Sequence, residues 1–230
     1  MPRKAKWEFD AEVTDVFVDM LARSIPQIDV MRSMVAEVAL SFGELKRSVV
    51  DLGASRGDAG SFLLRHLRDD ERLDLVEVSR PMVKVCRTRF KDDPRVHVHE
   101  FDLREGYPPG VEDKTASMLV LALQFMPIEH RLRILRDVWR TTVSGGCIVL
   151  VEKVLGSTAE SNDMLVRMYH ELKRRNGYSQ EEIDRKAQSL EGVLVPVTAR
   201  WNEDLLASAG FGSVECFWRC LNFAAWVGVK

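Results

Sequence analysis

Val49-Val50-Asp51-Leu52-Gly53-Ala54-Ser55-Arg56-Gly57-Asp58 joins an apolar, β-branched run to a glycine-punctuated turn, and a helical pattern over residues 59–66 follows at once. The run predicts a buried strand, and Gly53 and Gly57 permit the tight backbone that a strand-to-helix turn demands. Twenty-four positions after Gly53, Glu77 ends a second apolar strand, Leu73-Asp74-Leu75-Val76. An acid at that place takes two ribose hydroxyls in nucleoside-binding folds. The plainer alternative is an ordinary strand-to-helix turn capped by Asp58.

The loop does not read as a phosphate cradle. A pyrophosphate loop uses G-x-G-x-x-G so that backbone amides reach the phosphates at a helix N-terminus. Here the spacing is Gly53-x-Ser55-x-Gly57, and Asp51 stands two residues before the first glycine. A carboxylate there repels phosphate and attracts the ammonium group of an amino acid. Ribose with an amino-acid tail and no phosphate describes S-adenosyl-L-methionine, or S-adenosyl-L-homocysteine, as the expected cofactor.

At 230 residues the chain reads as one domain, 1–230, long enough for a substantial core. Lys+Arg 33 against Asp+Glu 35 leaves a formal net charge of -2, so the chain as a whole carries no electrostatic footprint for nucleic acid. A local patch for structured RNA stays open. Cys86, Cys147, Cys216 and Cys220 form no C-x-x-C pair and no zinc spacing, and they read as reduced thiols of a cytoplasmic protein with no metal. The basic start, residues 1–6, is followed by no signal-peptide core, and the longest apolar run, 118–123, is too short to span a membrane.

Apolar runs near 48–52, 73–77, 96–100, 117–122 and 147–152 alternate with helical patterns near 59–67, 80–91 and 129–141. That alternation predicts an α/β fold with a mostly parallel, Rossmann-like sheet. The last two runs, 214–219 and 223–229, are separated by so short a turn that they must pair antiparallel. A parallel sheet closed by such a C-terminal hairpin is similar to the class I methyltransferase arrangement. Residues 8–42 predict a helical cover, with Val13, Val16, Phe17, Met20 and Leu21 at helical spacing. Residues 154–200 are far too long for a strand-to-helix connection and predict a helical insertion after the fifth strand: a lid, a substrate pocket or a dimer surface.

With these residues in view, the chain resembles the carboxy-S-adenosylmethionine synthases over nearly its whole length. The match is carried by Phe9-Asp10, Ser24-Ile25-Pro26, Asp51-Leu52-Gly53, Leu123-Gln124-Phe125, Glu152-Lys153, Asn176-Gly177-Tyr178-Ser179 and Cys220-x-Asn222-Phe223. The resemblance implies a prephenate-dependent synthesis of a carboxylated cofactor for tRNA wobble-uridine modification. It also implies that Asp51, Gly53, Ala54, Ser55 and Gly57 hold the amino-acid end of the cofactor, Glu77 the ribose and Asp102 the adenine amino group. Val78 and Leu103 would flank the base, and Gln124 completes the set.

Three positions depart from the family pattern. The arginine that holds the extra carboxylate, eleven positions after Asn176, is Ala187 here. A ligand-contacting tyrosine is Ile28, and an asparagine after the fourth strand is lost in a shortening before Ala122-Leu123-Gln124. Arg185 and Lys186 are near in sequence, but each helical step turns a side chain by about 100°. The leading expectation is therefore methyl transfer to an unidentified small-molecule or RNA acceptor. Carboxylated-cofactor synthesis is the alternative, and a non-catalytic cofactor-binding subunit or sensor a third reading.

The acceptor side offers His170 with Tyr169 as catalytic candidates, and Glu152 and His130 as further bases or orienting groups. Met164, Met168 and Leu172 read as a core stripe, with an acceptor pocket as the alternative. Lys173-Arg174-Arg175 reads as a basic last turn that complements a helix C-terminus, or else as a contact for an anionic acceptor or RNA. The arginines of residues 131–140 read as lying on a helix face and needing no ligand. A homodimer is expected through the insertion.

Overall fold

The computed structural model describes residues 10–42 and 47–230. The basic start and residues 8 and 9 of the expected N-terminal cover, including Phe9 of the family match, lie outside the described residues. Helices α1 (Ala11–Ser24) and α2 (Ile28–Leu40) precede β1 (Ser48–Leu52), α3 (Asp58–Leu64), β2 (Arg72–Glu77), α4 (Arg80–Arg89), β3 (Val96–Glu100) and β4 (Lys114–Val120). After a 3₁₀ turn, Leu123–Phe125, come α5 (Ile128–Thr141) and β5 (Thr142–Leu155). The insertion carries α6 (Ala159–Arg175), α7 (Gln180–Leu190) and the two-residue β6 (Val197–Thr198). The chain then closes with α8 (Ala199–Ala209), β7 (Ser213–Cys220) and β8 (Phe223–Val229).

The sheet order is β3-β2-β1-β4-β5-β8-β7, with β6 paired to β5. Strands β1 to β5 run parallel, and β8 inserts antiparallel between β5 and β7, as the short final turn requires. Period-two alternation sends neighbouring residues to opposite faces. Val49, Leu73, Leu75, Met118 and Val149 pack under α2 and α3 with Met31, Val35 and Leu63. Val50, Leu52, Val76, Leu119 and Ile148 pack under α5 and α8 with Ile134, Leu135, Leu206 and Trp226. The strand order reverses between β1 and β4, where open α/β sheets leave a crevice at the carboxyl ends of the strands.

Some element ends differ from expectation. The fourth strand stops at Val120 because Leu121 turns into the left-handed region, φ 58°, and the next residues coil into the 3₁₀ turn. Asp58 does not cap α3. The N-cap is Gly57 at φ 73°, while the Asp58 carboxylate takes an ion pair from Arg89 at 2.5 Å.

At the base of the sheet Asp74 is fully buried and binds Lys114 at 2.7 Å, Arg72 at 2.6 Å and His99 at 2.6 Å. Burial alone would raise its pKa, but hydrogen bonds from His99, Arg72 and Lys114 outweigh it and hold the carboxyl well below the usual range. Its contribution to stability is therefore present above the unfolded carboxyl pKa and is lost as pH falls through the depressed folded value. Asp74→Ala leaves Lys114 buried without its counter-ion and is expected to cost about 3–5 kcal/mol in urea denaturation at neutral pH. A loss below ~1 kcal/mol would show that this pair does not hold the strands together.

Candidate functional site

A cavity of about 920 Å³ opens at the carboxyl ends of β1, β2 and β4, roofed by α1, α2, α6 and α7. Asp51, Gly53, Ala54, Ser55, Glu77, Val78, Asp102, Leu103 and Gln124 all line it, as do Tyr169 and His170. Gly57 does not. It lies beneath the turn, where a Cβ would meet Phe90 at 2.5 Å, so it serves the backbone and not the cavity surface. Gly53, at φ 81°, approaches the turn after β4 so closely that a Cβ would stand 2.6 Å from that of Ala122.

Glu77 organises the loop. One carboxylate oxygen accepts from the Ser55 amide at 2.8 Å, and the other accepts from Val78 at 2.9 Å and Ser79 at 2.8 Å. Burial still raises its pKa, against the pull of these amides. Asp51 is 1 % exposed, and neither of its oxygens makes a well-formed hydrogen bond; only the Gly60 amide is directed toward them. Burial, reinforced by the Glu77 charge, pushes its carboxyl up to about 7. A buried acid with open lone pairs at a cavity wall fits an ammonium-bearing ligand, which is what the cofactor presents. Asp102 is held bidentate by Arg104, whose hydrogen bonds lower its pKa. Gln124 ties the wall together: its side-chain amide donates to the Leu121 carbonyl at 3.3 Å, and its side-chain oxygen accepts from the Lys153 amide at 2.9 Å.

The insertion is locked to the N-terminal cover by the Asn-Gly-Tyr-Ser turn. The Asn176 side chain donates to the Arg23 carbonyl at 3.0 Å, the Tyr178 hydroxyl lies 3.2 Å from the Ser24 hydroxyl, and the Arg23 guanidinium stacks over the Tyr178 ring at 4.1 Å. Tyr169 is buried, and burial raises its phenol, so it stays protonated at neutral pH. His170 moves the other way: burial and then the charges of Lys173 and Lys153 lower its pKa, leaving a neutral imidazole.

Three expectations for the acceptor side change. Glu152 and His130 do not line the cavity. Glu152 is 2 % exposed on the other face of β5, pushed by burial up to about 8, with the Arg131 charge opposing. Arg131 is itself 1 % exposed; its guanidinium donates to the carbonyls of Met126, Gln124 and Val195. Met164 and Met168 are exposed and belong to neither core nor pocket, whereas Lys173 of the expected basic cap is buried at the cavity wall. Lys153 and Lys186 also line the cavity and were absent from the expected site, since nothing in their local pattern marks them as inward-facing.

The crevice position, the acid at the end of each of the first two strands and the closing hairpin define a class I S-adenosylmethionine-dependent methyltransferase fold. A methyltransferase-domain model matches residues 49–146. An O-methyltransferase family protein from Burkholderia thailandensis superposes with a TM-score of 0.67 at 16% identity, over 96% of this chain and 60% of that one. A putative S-adenosyl-L-methionine-dependent methyltransferase from Methanococcus maripaludis gives 0.64 at 16% identity, over 100% and 97%. The chain belongs to the carboxy-S-adenosyl-L-methionine synthase family. It is 35% identical to the carboxy-S-adenosyl-L-methionine synthase of Erwinia tasmaniensis over 97% of this chain and 92% of that protein. It is 32% identical to the one from Vibrio vulnificus, over 96% and 91%. It is thus a S-adenosylmethionine-dependent transferase, and no helix among the described residues is long and apolar enough to cross a membrane.

Because burial raises Asp51, the native state keeps a proton that the unfolded chain has released, and stability falls as pH rises between those two values. Asp51→Asn carries no such proton. In the absence of ligand it should therefore gain on the native chain as pH rises from about 4 to about 7, and hold a constant difference above that. Denaturant midpoints across this range check it, and a flat difference would place the Asp51 carboxyl at its ordinary pKa.

Proposed function

We propose that this chain transfers the methyl group of S-adenosyl-L-methionine to a small acceptor bound against the insertion, and does not make the carboxylated cofactor. One observation carries the choice. Ile28 and Ala187, two of the departures from the family pattern, line the same cavity and place no charged side chain at their own positions, where the resemblance implies a ligand contact. Arg185 does not stand in, since it is exposed and paired with Glu181 at 2.7 Å. A lost charge-assisted hydrogen bond is worth about 1.5–3 kcal/mol, enough for a tenfold or larger loss in affinity.

When bound, the cofactor supplies an electrophilic methyl on a sulfonium sulfur. Asp51 would take its ammonium group, and Glu77 would accept from a ribose hydroxyl while keeping its backbone amides. Asp102 would take the adenine amino group, with Val78 and Leu103 on the ring faces. What remains for the chain is positioning, which can supply much of the acceleration of an in-line displacement. His170, at the wall with its pKa lowered, would take a proton from the acceptor, and Tyr169 would orient it. Residues 1–230 work in this reading as one cytoplasmic methyltransferase domain.

Native protein given S-adenosyl-L-methionine and prephenate is expected to form no carboxy-S-adenosyl-L-methionine by mass spectrometry. Ala187→Arg is expected to raise affinity for the carboxylated form more than for the ordinary one. Efficient formation of the carboxylated cofactor by the native chain would replace this reading with the family's named activity.

The exposed Met164, Val166 and Met168 on α6 support a homodimer through the insertion. Sedimentation at micromolar concentration is expected to give twice the chain mass, and a monomer would remove the dimer from the proposal.

A further inference from the structure

The amides of the turn after β1 are largely committed within the protein. Gly53 and Ala54 both donate to the Val76 carbonyl, at 2.8 and 3.0 Å, Ser55 donates to Glu77 at 2.8 Å, and Gly57 donates to the Ala54 carbonyl at 2.8 Å. A carboxylate arriving beside this turn is therefore better met by a side-chain cation than by the backbone. The cofactor brings such a carboxylate, carried on the same carbon as the ammonium group that Asp51 would take. The two groups cannot part, so the cation that meets the carboxylate has to stand near Asp51.

Arg32 stands there. It lies on α2 one helical turn after Ile28, and both residues line the cavity. Its side chain is 12 % exposed, and its two ion pairs, 3.7 Å to Asp58 and 3.9 Å to Asp29, are longer than hydrogen bonds. Burial weighs against its charge, which Asp58, Asp29 and Asp51 support. That charge acts in turn on Asp51, yet no ion pair joins the two among the described residues. A buried acid with open lone pairs and a guanidinium with only long contacts thus share one corner of the cavity without touching. Arg104, which also lines the cavity, is already held by Asp102 through two of its nitrogens.

We propose that Arg32 takes the carboxylate of the cofactor's amino-acid tail, so that Asp51 and Arg32 grip the two charges of the tail between them and a helix of the N-terminal cover becomes part of the cofactor site. A planar guanidinium matches a carboxylate with two parallel hydrogen bonds, which a point charge does not. Cover and turn are tied at a second place, where Arg56 of the turn donates to the Thr14 carbonyl of α1 at 2.9 Å. The proposal rests on the reading of the cavity as the cofactor site. It makes Arg32 a specificity residue: a nucleoside that keeps the ammonium group but lacks the carboxylate leaves the guanidinium with its long contacts alone.

The test titrates full-length protein calorimetrically with S-adenosyl-L-homocysteine and with its decarboxylated analogue, which keeps the adenosine, the thioether and the ammonium group. Native protein is expected to bind S-adenosyl-L-homocysteine at least about tenfold more tightly than the analogue. Arg32→Met, confirmed folded by its melting transition, should lose that factor for S-adenosyl-L-homocysteine and hold the analogue within about twofold, so that the preference disappears. Arg32→Gln, closer in polarity, repeats the measurement should the methionine variant not fold, and Arg32→Lys should keep part of the preference. Equal affinities in native protein, an equal loss for both ligands on substitution, or a preference that survives the neutral variants each overturns the role of Arg32 and leaves the cofactor reading standing. Failure of native protein to bind S-adenosyl-L-homocysteine overturns both.

Discussion

The mouth of the cavity takes its shape from a carboxylate that is buried and must be satisfied. Glu77, at the end of β2, gathers amides from both its own strand end and the glycine turn after β1, so two neighbouring strands are clamped at one point. A buried carboxylate without such donors would be far too costly to keep. With Glu77 committed, the adjacent Asp51 is left desolvated beside a like charge and open toward the cavity. The same arrangement that stabilises the turn thus leaves a neighbouring acid without a hydrogen-bonded cation, offset only by the through-space charge of Arg32.

Acids from β1, β2 and the segment after β3 line the cavity together with Arg32 and Arg104, and lysines from β5, α6 and α7 line it together with Glu191. Low-dielectric walls strengthen the field that each of these charges exerts on a bound ligand.

Behind this wall lies a second device. Arg131, buried in α5, donates to carbonyls on both sides of the turn after β4 and to Val195 on the chain returning from the insertion. Glu152 stands close enough to bear on its charge. One guanidinium therefore couples the loop that carries Gln124 to the segment that closes the cavity, and its burial is sustained by three carbonyl partners in the absence of solvent.

Much was legible in the sequence because it is local. The Asp51-to-Gly57 turn, the acid at Glu77, the alternating runs of the parallel sheet and the short C-terminal hairpin each follow from spacing and residue type within a few tens of positions. The departures at Ile28 and Ala187 were visible too, since they sit in segments anchored by the Asn-Gly-Tyr-Ser and Ser-Ile-Pro motifs. Side-chain direction in the insertion was not. Helical periodicity suggested that Met164 and Met168 face inward and that Lys173 caps, but α6, tied to α1 through the Asn176-Tyr178 turn, presents Tyr169 and Lys173 to the cavity. Likewise, burial of Arg131 depends on carbonyls separated from it by as many as sixty-four positions. A helix's amphipathic stripe states which residues share a face. Only long-range packing decides what that face meets, because the lysine, arginine and tyrosine side chains that matter here carry both an apolar stem and a polar tip and accept either environment.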